Sequence, residues 1–233
     1  MSNDAIRVII FDAVGTLIHP DPPATDVYAV VGRRFGSRLD PATIKGRFRN
    51  AFRRQEDLDR DHGYRTDNER EVRRWRTIVA EVLDDVSDNA ACFQALFEHF
   101  ARPQAWTCAA DTEPVLNALF GRGYRLGLAS NFDKRLHGVV DGLPELRPLG
   151  YRVVSAEIGW RKPHLRFFQK VCEVAEVAPE QILVVGDDQA NDYEGAAAAG
   201  LSAVLYDPHG DRPNGIRGLR ELLTLVPPKP RPG

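Results

Sequence analysis

A chain of 233 residues has room for one large domain, or for a core with a smaller companion. With 43% hydrophobic and 27% charged residues the composition is that of an ordinary globular protein. The net charge of -2 argues against a dedicated nucleic-acid binder, and no apolar run approaches the roughly 18 to 20 residues that cross a bilayer. Met1-Ser2-Asn3-Asp4 carries no signal-peptide pattern, and Cys92, Cys108 and Cys172 form no CxxC pair. A cytoplasmic protein with reduced thiols, and with neither nucleic-acid nor membrane partners, is therefore expected.

Ile6 to Phe11 is an apolar, β-branched run that predicts a buried strand, and it ends at Asp12 before the turn-forming Gly15. His19-Pro20-Asp21-Pro22-Pro23 reads as a rigid connector that excludes helix. From about Ala24 to Ala101 the apolar residues recur at helical spacing, as in Val27, Val30, Val31 and Phe35 or Trp75, Ile78, Val79 and Val82. Asp40-Pro41 and Ser87-Asp88 are helix starts, so roughly four helices are expected. Arginines collect in this block, among them Arg47, Arg54, Arg70, Arg73, Arg74 and Arg76. Interspersed acids such as Glu56, Asp59 and Glu69 suit solvated, locally paired helix faces; alternatively, one or two arginines face a crevice and bind an anion.

From Asp111 the pattern alternates. A helix at Thr112 to Phe120 leads to a strand at Tyr124 to Ala129 that delivers Ser130-Asn131. Phe132 to Val140 reads as helix, Tyr151 to Val154 as strand, and Pro163 to Val177 as an amphipathic helix with Leu165, Phe168, Val171, Cys172 and Ala175 inward. Ile182 to Val185 is the clearest buried strand and ends in Gly186-Asp187-Asp188. A helix from about Asn191 to Ala199, a strand at Ser202 to Tyr206 and a short helix at Leu219 to Leu225 complete the pattern. The predicted fold is α/β: a doubly wound, Rossmann-like parallel sheet with an inserted all-helical cap. Its core is assigned to residues 1–18 and 105–226, its cap to 19–104 and a loose proline-rich tail to 227–233.

Polar residues mark the strand ends. In a parallel sheet such ends converge on one rim, which gathers Asp12, Ser130-Asn131 and Asp187-Asp188, with Asp192 a turn further on and Lys162 at a helix start. Each residue alone also suits a helix cap. Asp12, Asp187 and Asp192 together would repel unless a hard cation sits among them, and such a sparse oxygen set suits Mg²⁺. Ser130 and Lys162 could hold a phosphoryl oxygen.

On these residues the chain resembles the haloacid dehalogenase superfamily of hydrolases. Phe11-Asp12-Ala13-Val14-Gly15-Thr16-Leu17 resembles its first motif and Ala129-Ser130-Asn131 its second. Lys162-Pro163 is similar to the third, and Val185 to Asp192 to the fourth. The helical insert sits where the family's class I cap does. Ser130 to Asp133 together with Asn191 to Ala196 looks most like the subgroup of haloacid dehalogenase-like hydrolase domain-containing protein three. The resemblance implies phosphoryl transfer through an aspartyl-phosphate, with Asp12 as nucleophile and Ser130 and Lys162 as catalytic partners. Ser130, Asn131 and Lys162 would bind phosphate. Mg²⁺ would lie among Asp12, Asp187, Asp192 and the backbone carbonyl of Val14. A small phosphorylated or other anionic substrate, and a monomer or homodimer, complete that expectation.

One position departs from the pattern. The family's phosphatases carry a second aspartate two residues after the nucleophile; here that residue is Val14, which cannot transfer a proton. His19 is a conceivable substitute acid. The departure leaves open a 2-haloacid dehalogenase, which needs no such acid, and a binding or regulatory protein without turnover. Asp187 speaks against the dehalogenase, because the dehalogenases that resemble this chain have serine and asparagine in that region.

Overall fold

The computed structural model describes residues 6–229. Residues 1–5 and 230–233, the first of the predicted core and the last of the predicted tail, lie outside the described residues. In chain order β1 (Val8–Phe11) and β2 (Ile18–Pro20) precede four helices, α1 (Ala24–Arg34), α2 (Pro41–Asp61), α3 (Asn68–Val82) and α4 (Asn89–His99). Next come β3 (Trp106–Cys108), α5 (Thr112–Gly121), β4 (Arg125–Ser130), α6 (Arg135–Asp141), β5 (Leu149–Val154) and α7 (Ser155–Ile158). The chain closes with α8 (Leu165–Ala175), β6 (Ile182–Gly186), a π-helical turn at Gln189–Glu194, α9 (Gly195–Ala198), β7 (Ser202–Leu205) and α10 (Leu222–Leu225).

Strands β5, β4, β1, β6 and β7 form one parallel sheet in that order. Along β1 the side chains alternate between faces. Val8 and Ile10 pack with Val184, Phe167 and Phe168 on one side, whereas Ile9 and Phe11 pack with Leu126, Leu128 and Val185 on the other. Both faces are buried, which is why the strand reads as an unbroken apolar run. The chain first builds outward to β4 and β5, then returns to build β6 and β7 on the opposite side of β1. Strand order therefore reverses at β1, and a crevice opens at the carboxyl ends of β1, β4 and β6.

The helices at 24–99 bury their own apolar cluster, which includes Val27, Ile44, Ile78, Phe93 and Leu96. Asp40 caps α2 by accepting from the Thr43 N–H at 3.0 Å, and Asp88 caps α4 by accepting from Ala91 at 2.9 Å. Where this layer leaves and rejoins the sheet, β2 and β3 pair as an antiparallel ribbon, Ile18 opposite Cys108 and Pro20 opposite Trp106. Among the described residues no helix is long and apolar enough to cross a membrane.

Some elements differ from the sequence reading. The ribbon was not foreseen, because three-residue strands are too short to show alternation and Pro20 reads as a breaker. Helix α6 begins at Arg135, not Phe132, since the Phe132 N–H and carbonyl are both engaged by the Ser155 hydroxyl at 3.1 Å. In α8, Leu165 is half exposed and the inward position belongs to Phe167. The predicted helix at 191–199 is a π-helical turn followed by the short α9. The described part of the tail is held: Lys229 N–H donates to Arg122 O at 3.2 Å, and Tyr124 Oη donates to Pro227 O at 2.8 Å.

The helical layer is bound to the sheet through the segment before α8. Arg161 N–H donates to Tyr64 O at 2.9 Å and Thr66 N–H to Gly159 O at 3.2 Å. The Arg161 guanidinium enters the helices, 2.5 Å from Glu71 and 3.3 Å from Asp59. Arg70 and Arg74 join it against Glu56, Asp59 and Glu71, three charges of each sign. Removing one partner from such a buried set strands the other charges and typically costs about 3–5 kcal/mol. Arg161→Met is expected to lower unfolding stability by about that amount in denaturant titrations. An unchanged midpoint would mean that the cluster does not hold the two layers together.

Candidate active site

The ladder of β1 runs one residue past the strand, because the Asp12 N–H donates to Val185 O at 2.8 Å. This fixes Asp12 at the crevice floor, where it is 7% exposed. Lys162 comes from the segment before α8, and its buried ammonium donates to Asp12 Oδ1 at 2.6 Å, Asp192 Oδ1 at 2.5 Å and Ala129 O at 3.0 Å. Asp187 follows β6 and accepts from Thr16 Oγ1 at 3.2 Å. Carboxylate oxygens of Asp12, Asp187 and Asp192 lie within 4.8 Å of one another.

The turn after Asp12 needs a glycine. Gly15 has φ of +98°, and a Cβ there would lie 2.3 Å from Asp187 Oδ2. Gly186 is constrained by space alone, since a Cβ would come 2.3 Å from Asp192 Oδ2. At the wide turn of residues 189–194, Asp188 caps Ala190 and Asn191 at 2.9 and 2.8 Å, while Asp192 accepts from the Asp188 N–H at 3.1 Å and from Lys162.

Three acids share one ammonium here. Burial pushes the Asp12 carboxyl above its usual range, with Lys162 opposing and Asp187 adding to the rise. Asp192 is pushed up to about 6, mainly by burial. Asp187 keeps an exposed face, yet partial enclosure of its carboxyl and the nearby Asp192 push it up to about 6 too. Burial works against the Lys162 charge, but Asp12 and Asp192 outweigh it and keep the ammonium protonated. The excess of negative charge on hard oxygen donors is what a divalent cation would relieve.

Above the site lies a cavity of about 410 Å³, floored by Asp12, Val14, Ser130, Asn131, Lys162, Asp187 and Asp192. The structure therefore brings together Asp12, Val14, Ser130, Asn131, Lys162, Asp187 and Asp192, as the sequence predicts, but not His19. Asn131 lines the cavity, and its side chain accepts from Lys162 N–H at 2.7 Å and donates to Lys162 O at 3.0 Å. Ser130 is buried at the end of β4. His19 lies on β2, outside the cavity lining. None of the described arginines of residues 24–104 lines the cavity; Arg135 and Arg161, which do, follow β4 and β5. Sequence reasoning missed Thr16, Arg135 and Arg161. Thr16 lies within the Phe11 to Leu17 motif and Arg161 beside Lys162, so adjacency is the signal that could have found these two.

A crevice at the strand-order reversal, closed above by a separate helical layer, puts the molecule among the capped α/β proteins. Within that class the chain belongs to the haloacid dehalogenase-like hydrolases, whose family model matches residues 6–200. It is 29% identical over 205 residues to the human haloacid dehalogenase-like hydrolase domain-containing protein 3, covering 86% of this chain and 81% of that one. Among solved structures it is similar to a HAD phosphatase from Thermococcus onnurineus, with a TM-score of 0.70 and 22% identity over 96% of this chain and 99% of that one. It is also similar to a 2-haloacid dehalogenase from Pseudomonas syringae pv. Tomato DC3000, with a TM-score of 0.66 and 20% identity over 95% and 98%.

Gly15→Ala tests the floor of the site. A left-handed backbone costs a non-glycine residue roughly 1–2 kcal/mol, and the added methyl must also displace Asp187. Unfolding stability should fall by at least about that amount. A variant as stable as the parent would show that the turn is not constrained.

Proposed function

We propose that the protein is a Mg²⁺-dependent phosphatase of a small phosphorylated compound, acting through an aspartyl-phosphate at Asp12. The observation that carries this reading is the buried Lys162 ammonium between Asp12 and Asp192, with Asp187 close by. An Asp12 oxygen attacks phosphorus and the bond to the leaving oxygen breaks, its electron pair going with the leaving group. Water then attacks the acyl phosphate, loses a proton, and releases phosphate and the free carboxylate. Lys162 and Ser130 would hold the phosphoryl oxygens, and Asn131 would position Lys162. Asp12, Asp187, Asp192 and the Val14 carbonyl would hold the cation, which when bound offsets phosphoryl charge.

Two observations favour this over halide displacement. The carboxylates Asp187 and Asp192 are present, and no described arginine of residues 24–104 lines the cavity, several being held in ion pairs such as Arg47–Asp84, Arg54–Glu81 and Arg70–Asp59. A haloacid carboxylate would find no cap guanidinium among the described residues that line the cavity.

Val14 restricts the leaving group. A hydrocarbon side chain stands where a proton donor would be required, and His19 lies off the cavity. General acid help is worth about 10² to 10⁴ in rate, so alkyl phosphates should turn over slowly, and aryl or acyl phosphates, whose leaving groups depart unprotonated, faster. In steady-state assays Val14→Asp should raise alkyl phosphate turnover by roughly tenfold or more and aryl turnover much less. Equal, high rates on both substrates in the parent would defeat this account.

The metal site has a test independent of turnover. Mg²⁺ at about 100 times its dissociation constant should stabilise the parent by about 2.7 kcal/mol in thermal unfolding, and Asp187→Asn should lose most of that shift. Phosphate release that survives in Asp12→Asn, or that ignores chelation, would exclude the proposed chemistry.

A further inference from the structure

We infer that the substrate carries its single anionic group at the phosphoryl end and a bulky apolar, ring-sized body in the chamber under the cap. This rests on the phosphatase reading and specifies the substrate class that the site would take.

The cavity has the size of a small-molecule site, about 410 Å³ against a usual range of roughly 300 to 1,000 Å³. Its floor is polar, but its cap walls are largely hydrocarbon, with Tyr28, Phe48, Phe52, Trp75, Phe93 and Phe97 all lining it. Several of these rings form one continuous surface. Tyr28 meets Phe48 edge-on at 5.2 Å, Phe48 stacks on Phe52 at 6.2 Å, and Phe52 lies 6.3 Å from Trp75. Aromatic walls of this kind favour a flat apolar group through buried area and ring contacts.

The charged residues on the walls are already engaged. Arg135 donates to both oxygens of Asp133 at 2.8 and 2.7 Å and to Phe97 O at 3.1 Å, with its guanidinium 3.6 Å from the Phe97 ring centroid. Arg161 is held by Glu71 and Asp59, and Glu56 on the same wall is paired with Arg74 and Arg161. A second anion on the substrate would have to be buried without a free cation and close to the Glu56 carboxylate, which is costly. Phosphorylated acids and bisphosphates are therefore disfavoured, and a phosphate bearing an uncharged aromatic or branched apolar body fits.

Leaving-group chemistry is held constant by comparing two aryl esters, 1-naphthyl phosphate and 4-carboxyphenyl phosphate, with Mg²⁺ present. The expected result is a kcat/KM roughly tenfold or more higher for the naphthyl ester, as differential burial in an apolar pocket gives. Phe52→Ser should raise KM for the naphthyl ester more than it lowers kcat, and shrink the preference. Equal values, or a preference for the carboxylate, overturn the inference while leaving the phosphatase reading intact. If neither ester releases phosphate, the phosphatase reading fails, and calorimetric titration of both esters then decides the chamber separately. Tighter binding of the naphthyl ester by roughly tenfold upholds the single-anion, apolar-body preference, and equal binding overturns it.

Discussion

The arrangement depends on one buried ammonium. Lys162 is 3% exposed and sits between Asp12 and Asp192, two carboxylates that could not both stay ionised in an enclosed site without it. Its position is fixed from three directions. Asn131 clamps its backbone from the end of β4, the Ala129 carbonyl accepts a hydrogen bond from its ammonium, and the adjacent Arg161 is anchored in the cap helices. The lysine thereby ties the central strand, its neighbour and the cap to one point. A lysine that was merely nearby could neutralise charge; one held on all sides can also set where an anion rests.

Much of the core was legible for a simple reason. Parallel strands buried on both faces read as apolar runs, so an aspartate or serine that ends such a run stands out. Asp12, Ser130 and Asp187 were all visible through that contrast, and the capping aspartates Asp40 and Asp88 through their preference for helix starts. The failures have physical causes. Leu165 opens α8 and follows the helical period only loosely: the buried face is centred on Phe167, Phe168, Val171 and Ala175, which leaves Leu165 to one side and half exposed. The turn at 189–194 is π-helical, and its Asp192 is bonded to Lys162, 30 positions away, which local periodicity does not encode. The Asn131 side chain also bonds the backbone of Lys162, 31 positions away, a separation to which periodicity is blind.

The arginines show how little composition says about direction. Charge patterning predicted solvated pairs or an anion site, and the structure uses several of them in pairs on the surface. Arg74 does neither: it is 1% exposed, and burial, despite Glu56, lowers its pKa to about 9. Burying such a guanidinium is unfavourable unless carboxylates surround it, which Glu56 and Asp59 do. Arg161 reaches the same carboxylates from the sheet side, so the ion cluster that stabilises α2 and α3 against each other also sets how the cap sits over the crevice.

On the proposed reading, Val14 and the aromatic chamber impose the same demand from opposite ends of the substrate. Without a side-chain acid at position 14, and with Asp187 and Asp192 assigned to the cation, the departing oxygen has to carry its own negative charge. Delocalisation into a ring or a carbonyl does that, and an alkyl oxygen cannot. A chamber with aromatic walls, whose guanidinium groups are already paired, accepts the ring and offers little to a polar or charged chain. Exclusion of water by the same walls strengthens the attraction between Lys162 and a phosphoryl oxygen, as Coulomb interactions grow when the local dielectric falls. A proton donor would restore activity on alkyl esters, but it would also put another ionisable group among carboxylates whose pKa values already lie near 6. A valine at this position therefore suits a site that is crowded with acids and specialised for leaving groups that need no proton.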